Sequence, residues 1–182
     1  DNDRDGIEKK STTELRFWEH NQNYSGWKKE GLFQDAILIS LMDNRGNLNL
    51  YMSPSEWIDR LISTILDSST IEWWYSNKFV LGLIAEASPR SYIKFIQNDL
   101  RKEDSIIKRL FTPKGVNNLW GPQEDYTHIL FSLQAMLWEE EWLLPISCIL
   151  ADLSRIENDS NLYNKPITAL YEAYAIWRPQ TY

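Results

Sequence analysis

Cysteine and histidine are scarce in this chain: Cys148 stands alone, and His20 and His128 are the two histidines in 182 residues. A disulfide framework needs pairs, and a closed zinc site built from Cys and His alone needs four ligands, so the sequence holds neither. Cys148 lies on an apolar stripe and reads as a small core residue rather than a nucleophile. No glycine is followed by lysine, which removes a Walker A loop, and there is no Gly-x-Ser-x-Gly elbow. Long apolar runs are missing too. The longest clean one, Phe79 to Ala85, falls far short of the roughly 20 residues that cross a bilayer, and no charged-then-apolar leader precedes it. The expectation is a soluble cytoplasmic domain with no membrane contact. Its start at Asp1, without methionine, reads as that of an excised fragment. Basic residues are outnumbered 19 to 26, and the net charge of −7 disfavours a general nucleic-acid binder.

What the chain does have is a repeat. Ser53-Pro54-Ser55-Glu56-Trp57-Ile58 returns as Ser88-Pro89-Arg90-Ser91-Tyr92-Ile93, and each copy opens an apolar helical run. Serine at an N-cap accepts an orphan amide of the first turn, and proline after it loses nothing at N1 because that amide has no intrahelical partner. Glu56 at N3 completes a capping box with Ser53. Leu61, Ile62, Ile65 and Leu66 continue the first stripe, and Ile96 and Leu100 the second. Trp138-Glu139-Glu140-Glu141-Trp142-Leu143 and Trp177-Arg178-Pro179-Gln180-Thr181-Tyr182 are weaker echoes. Trp57, Tyr92, Trp142 and Tyr182 are then aromatic anchors between stacked helix pairs. Repeats of this length predict an all-α chain, a HEAT/armadillo-like α-solenoid. A compact bundle of well-capped helices is the alternative.

The apolar period places further helices at 28–42, 72–87, 104–111, 124–138, 141–155 and 165–177, with a turn at Asn44-Arg45-Gly46-Asn47 and a stop at Thr112-Pro113-Lys114-Gly115. Residues 1–27 form a polar segment that is expected to fray, and 28–182 a single domain.

Charge is uneven. Arg90, Lys94, Arg101, Lys102, Lys108, Arg109 and Lys114 outweigh Asp99, Glu103 and Asp104, whereas the stretch from Trp120 to Ser160 is acidic apart from Arg155. The plain reading of the basic strip is a solvated helix face. The functional reading is a contact for an acidic partner or an RNA backbone. Glu139, Glu140 and Glu141 suit the positive end of a helix dipole, which explains them without catalysis. His128 reads as a packing residue. Nine tryptophans could stack sugars, which keeps a helical enzyme acting on a carbohydrate or other polymer as an alternative, but core plugging accounts for Trp57, Trp138, Trp142 and Trp177. Trp73 and Trp74 are adjacent and cannot both face one core, so one of them is a surface contact candidate.

Leu83-Ile84-Ala85-Glu86-Ala87-Ser88-Pro89 with Tyr92-Ile93, Tyr126-Thr127-His128-Ile129-Leu130 with Ala135-Met136-Leu137-Trp138, Asn161-Leu162-Tyr163-Asn164-Lys165-Pro166 and the closing Trp177-Arg178-Pro179-Gln180-Thr181 carry a resemblance. Together, over about residues 34–182, they resemble the HEAT-like helical segments of large uncharacterised bacterial multidomain proteins of the signalling-ATPase type. The resemblance implies a helical array, in some members beside a nucleotide-binding module that this sequence lacks. It brings no catalytic residue. The sequence departs from it at Thr127-His128-Ile129, where the pattern has a glycine after a His-Thr order. The expected function is a non-catalytic protein-interaction or sensor scaffold without cofactor or metal, with a protein partner favoured over nucleic acid and Trp73, Trp74, Arg101, Lys102, Lys108 and Arg109 as binding candidates.

Overall fold

Serine and threonine hydroxyls set where the helices begin. Ser53 Oγ accepts the Glu56 amide at 3.2 Å, Thr70 Oγ1 the Trp73 amide at 3.3 Å, Ser88 Oγ the Ser91 amide at 3.4 Å and Ser105 Oγ the Lys108 amide at 2.9 Å. Pro54 and Pro89 follow two of these caps at N1. The computed structural model describes residues 26–42, 51–112, 126–156 and 164–176. Among them the helices are α1 (Gly26–Leu41), α2 (Pro54–Asp67), α3 (Ile71–Ser76), a 3-10 turn (Lys78–Val80), α4 (Leu81–Ala87), α5 (Pro89–Leu100), α6 (Ile106–Phe111), α7 (Thr127–Met136), α8 (Glu140–Leu153) and α9 (Pro166–Ile176). The described residues contain no strand, and none of their helices is long and apolar enough to cross a membrane. The Asn44–Asn47 turn, the Pro113-Lys114-Gly115 stop, the polar residues 1–25 and the closing Trp177–Tyr182 echo lie outside the described residues.

Contacts fall into two rows. In one, α1 packs on α4 and α4 on α7; in the other, α2 packs on α5 and α5 on α8; α9 packs chiefly on α8 and less on α7. Pairs join the rows, with α1 against α2, α4 against α5 and α7 against α8. The two helices opened by Ser-Pro, α2 and α5, are therefore direct neighbours. Ile58, Ile62 and Leu66 of α2, Ile84 of α4, Ile96 of α5, Leu133 of α7 and Ile146 and Leu150 of α8 are almost fully buried in one continuous core.

The row helices are also tied by polar bonds. Ser88 Oγ donates to the Asp59 carboxylate of α2, and Ser91 Oγ donates to the Asp59 carbonyl at 3.0 Å. The second Ser-Pro start is thus wired into the helix opened by the first. Tyr92, fully buried at the same helical position as Trp57, reaches Ser132 of α7 at 2.8 Å. Tyr126 stacks on Phe111 and donates to the Asn164 carbonyl at 3.3 Å, joining the start of α7 to the approach of α9.

Four expectations need correction. The single helix expected over 72–87 is broken into α3, the 3-10 turn and α4. The break falls at Asn77, whose backbone amide makes the last helical bond of α3 to the Trp73 carbonyl at 3.0 Å, while its side-chain amide donates to the same carbonyl at 2.7 Å. Trp57 and Trp138 do not plug the space between pairs; they are 51% and 64% exposed. In α2 the buried line is Ile58-Ile62-Leu66, which turns Trp57 to its flank. Cys148 is exposed rather than in the core. Ile146, Ile149, Leu150 and Leu153 form the buried side of α8, and Cys148, two residues from Ile146, lies round the other side. Helix α1 begins at Gly26, two residues before the expected boundary.

Candidate functional site

The two groups of candidates singled out from sequence are linked through Phe95, which touches Trp74 and Lys102. Helix α3 is too short to bury both of its tryptophans. Trp74 is buried and donates its indole N–H to Ser69 Oγ at 2.9 Å; that hydroxyl in turn donates to the Leu66 carbonyl at 2.6 Å. Trp73 stands edge-on to it with ring centroids 5.7 Å apart, and it is half-buried against the core rather than open to solvent. On its other side Trp74 stacks on Phe95 of α5 at 5.6 Å, and the Lys102 ammonium lies over the Phe95 ring at 5.8 Å. The order Trp73, Trp74, Phe95, Lys102 makes one aromatic-basic corner where α3, α5 and the α5–α6 turn come together.

A buried carboxylate builds the basic end of this corner. Asp99 is 1% exposed on the last turn of α5. Its Oδ2 accepts the Ser105 hydroxyl at 2.7 Å and the Ile107 amide at 2.8 Å, and its Oδ1 takes the Lys102 ammonium at 3.4 Å. Ser105 therefore holds the Lys108 amide while Asp99 holds that of Ile107, and together they satisfy two orphan donors of α6. Lys108 Nζ donates to the Lys102 carbonyl at 3.0 Å.

These bonds divide the four basic candidates. Lys102 and Lys108 are engaged in holding the α5–α6 turn. Arg101 and Arg109 project from the same corner and are exposed, as are Glu103 and Asp104 between them. Upstream on α5, Arg90 lies 3.9 Å from Glu141 at the start of α8, both exposed. Surface pairs of this kind contribute little, about 0–1 kcal/mol.

Phe95 and Asp99 were not singled out from sequence. Their signal is the spacing Phe95, Asp99, Lys102, which places an aromatic, a carboxylate and an ammonium on one helix face, followed by Ser105 as the next cap. The other candidates stay apart. Glu139, Glu140 and Glu141 are all exposed, so no enclosed carboxylate pair forms from them. His128 packs its ring edge-on against Phe79, with centroids 4.9 Å apart. Among the described residues no three His, Cys, Asp or Glu side chains are grouped to hold a metal ion. Compared with protein-family models, curated proteins and solved structures, the chain matches none.

Proposed function

We propose that this chain is a non-catalytic protein-interaction scaffold, a HEAT-like α-solenoid segment of a larger bacterial protein, acting as a binding or sensing arm. The observation that carries the reading is the order of packing. Pairs α1/α2, α4/α5 and α7/α8 follow one another with like helices adjacent, and the two Ser-Pro starts occupy like places in one row. Such stacks present extended surface and little enclosed space, which suits recognition of a partner chain.

Within that reading the contact surface is the basic end of the corner, with Arg101 and Arg109 reaching toward an acidic protein segment. The exposed acids Glu103 and Asp104 interrupt the basic strip, which favours a protein partner with mixed charge over a polyphosphate. The reading is tested by presenting the purified chain with Glu/Asp-rich peptides and, separately, with poly(U). Micromolar peptide binding that is lost in an Arg101→Glu/Arg109→Glu variant supports it. Binding of poly(U) alone, weakening steeply with salt, would replace it with an RNA-binding role.

A further inference from the structure

Helix α5 lies in the middle of its row, with α2 on one side and α8 on the other, and one line of it is left open. Its exposed residues are Arg90, Lys94 and Asn98, and Arg101 is exposed at its C-cap. At about 3.6 residues per turn, Arg90, Lys94 and Arg101 fall within about 40° of each other, on a straight line about 16 Å long. The one acid of the helix, Asp99, is buried. The neighbouring helices differ. Helix α2 exposes charges of both signs, Glu56, Arg60 and Asp67, and α8 exposes the acids Glu140, Glu141 and Asp152.

The line runs against the local electrostatics of its own helix. Helices α2, α3 and α8 carry Glu56, Glu72, and Glu140 with Glu141 in their first turns, where the dipole favours an acid. The first turn of α5 has no acid and carries Arg90 instead. Lys94 follows four residues later, the spacing at which like charges on a helix repel. The fold offers little in return. Arg90 has one exposed contact with Glu141 at 3.9 Å, and among the described residues Lys94 and Arg101 make no ion pair. Charges set against local preference, with no partner inside the fold, mark a surface that serves something outside it.

We propose that this line docks an acidic α-helix of a partner protein, antiparallel to α5, with acids at i, i+7 and i+11. The inference rests on the scaffold reading and extends its contact from Arg101 along the length of α5. A helix laid beside another repeats its spacing. Read from Arg101, the cations fall at intervals of seven and four, and an antiparallel helix meets them with acids at those same intervals. In this direction the partner's first acid meets Arg101 near its own N-terminus, where an acid is favoured. Arg90 and Arg101, at the two ends, supply planar forks that hold a carboxylate by two bonds. The acids of α2 and α8 on either side confine the positive potential to the width of one helix. That suits a single acidic stripe and repels the phosphates of an RNA lying across the row.

The test measures binding of labelled, alanine-based peptide helices to the full chain by fluorescence anisotropy. One peptide carries glutamate at i, i+7 and i+11; the other has the same composition with its glutamates spread round the helix. The first is expected to bind about tenfold more tightly. Lys94→Gln, at an exposed position, should weaken that binding about fivefold without lowering the urea midpoint, while Arg60→Gln on α2 should leave binding unchanged. Failure of the first peptide to bind, or equal binding of the two, overturns the proposal. So does binding indifferent to Lys94→Gln. If Glu/Asp-rich peptides are then still captured and lost in Arg101→Glu/Arg109→Glu, the scaffold reading stands without the line; if no acidic peptide binds, both fall.

Discussion

The carboxylate of Asp99, at the end of α5, accepts the backbone amide of Ile107 in the first turn of α6 at 2.8 Å. One buried side chain thereby caps a helix that begins seven residues later, and it sets the angle at which the basic corner is presented. Replacing Asp99 with leucine leaves the Ile107 amide and the Ser105 hydroxyl without their acceptor in a dry site. Each such loss costs roughly 1–3 kcal/mol, so the expected destabilisation from the two is about 2–6 kcal/mol. Asp99→Asn, which keeps one acceptor oxygen, should cost about half of that. Urea unfolding of both variants checks the order. Equal costs would mean that the single oxygen asparagine keeps does not serve, and that the intact carboxylate is needed at this position.

Ser53 and Ser88 begin matching copies of the repeat but are wired differently. Ser53 caps its own helix, whereas Ser88 caps its helix and also donates to Asp59 of the neighbouring one. Ser53→Ala should therefore cost about 1 kcal/mol, the usual worth of a cap. Ser88→Ala should cost more, and a double-mutant cycle of Ser88→Ala with Asp59→Ala should show a coupling of the order of 1 kcal/mol. A coupling near zero would mean that the Ser88–Asp59 bond adds nothing to an α2–α5 contact already held by the apolar stripe and by the Ser91 bond to the Asp59 carbonyl.

The same contrast explains which parts of the fold were legible in the sequence. Caps are local: serine, proline and the stripe behind them lie within a few residues, so the starts of α2 and α5 could be read directly. Burial is not local. Trp57 and Tyr92 hold the same helical position, yet one is half exposed and the other fully buried. Helix α5 lies between α2 and α8 and reaches α7 through Tyr92, while α2 has one neighbour in its row. The Asn77 break was hidden because an asparagine inside an apolar pattern acts through hydrogen bonds and not through periodicity. At the candidate site, the tryptophans and basic residues could be named from the chain. Their junction through Phe95 and Asp99 could not, because it depends on a turn that brings α6 back against α5.

Cys148 gives a direct check on the register of α8. On the buried side the thiol would react with 5,5′-dithiobis(2-nitrobenzoate) only after unfolding. On the exposed side, where it lies, one thiol per chain should react within minutes in native buffer, with little acceleration by urea. Protection that disappears only above the unfolding midpoint would mean that α8 is rotated from this register.

Tyr92 makes the core sensitive to alkali, and the sign follows from its bonds. Ser132 Oγ donates its one proton to the Ile129 carbonyl at 2.8 Å, so the hydroxyl of Tyr92 must be the donor in the bond to Ser132. Burial pushes the phenol well above its ordinary value. The folded chain thus keeps this proton at a pH where the unfolded chain releases it. The stabilisation is complete below about pH 10, the ordinary tyrosine value, and falls above it by at most about 1.4 kcal/mol per pH unit. Tyr92→Phe should be less stable than the parent by about 1 kcal/mol at pH 8, the worth of the lost bond. As the pH rises past 10 the parent loses this advantage and phenylalanine does not, so the gap should close and reverse near pH 11. Urea midpoints measured for both proteins between pH 8 and 11 check this. A gap that stays constant across the range would show that the phenol of Tyr92 ionises in the folded chain as readily as in the unfolded one, and that its site is wetter than its burial implies.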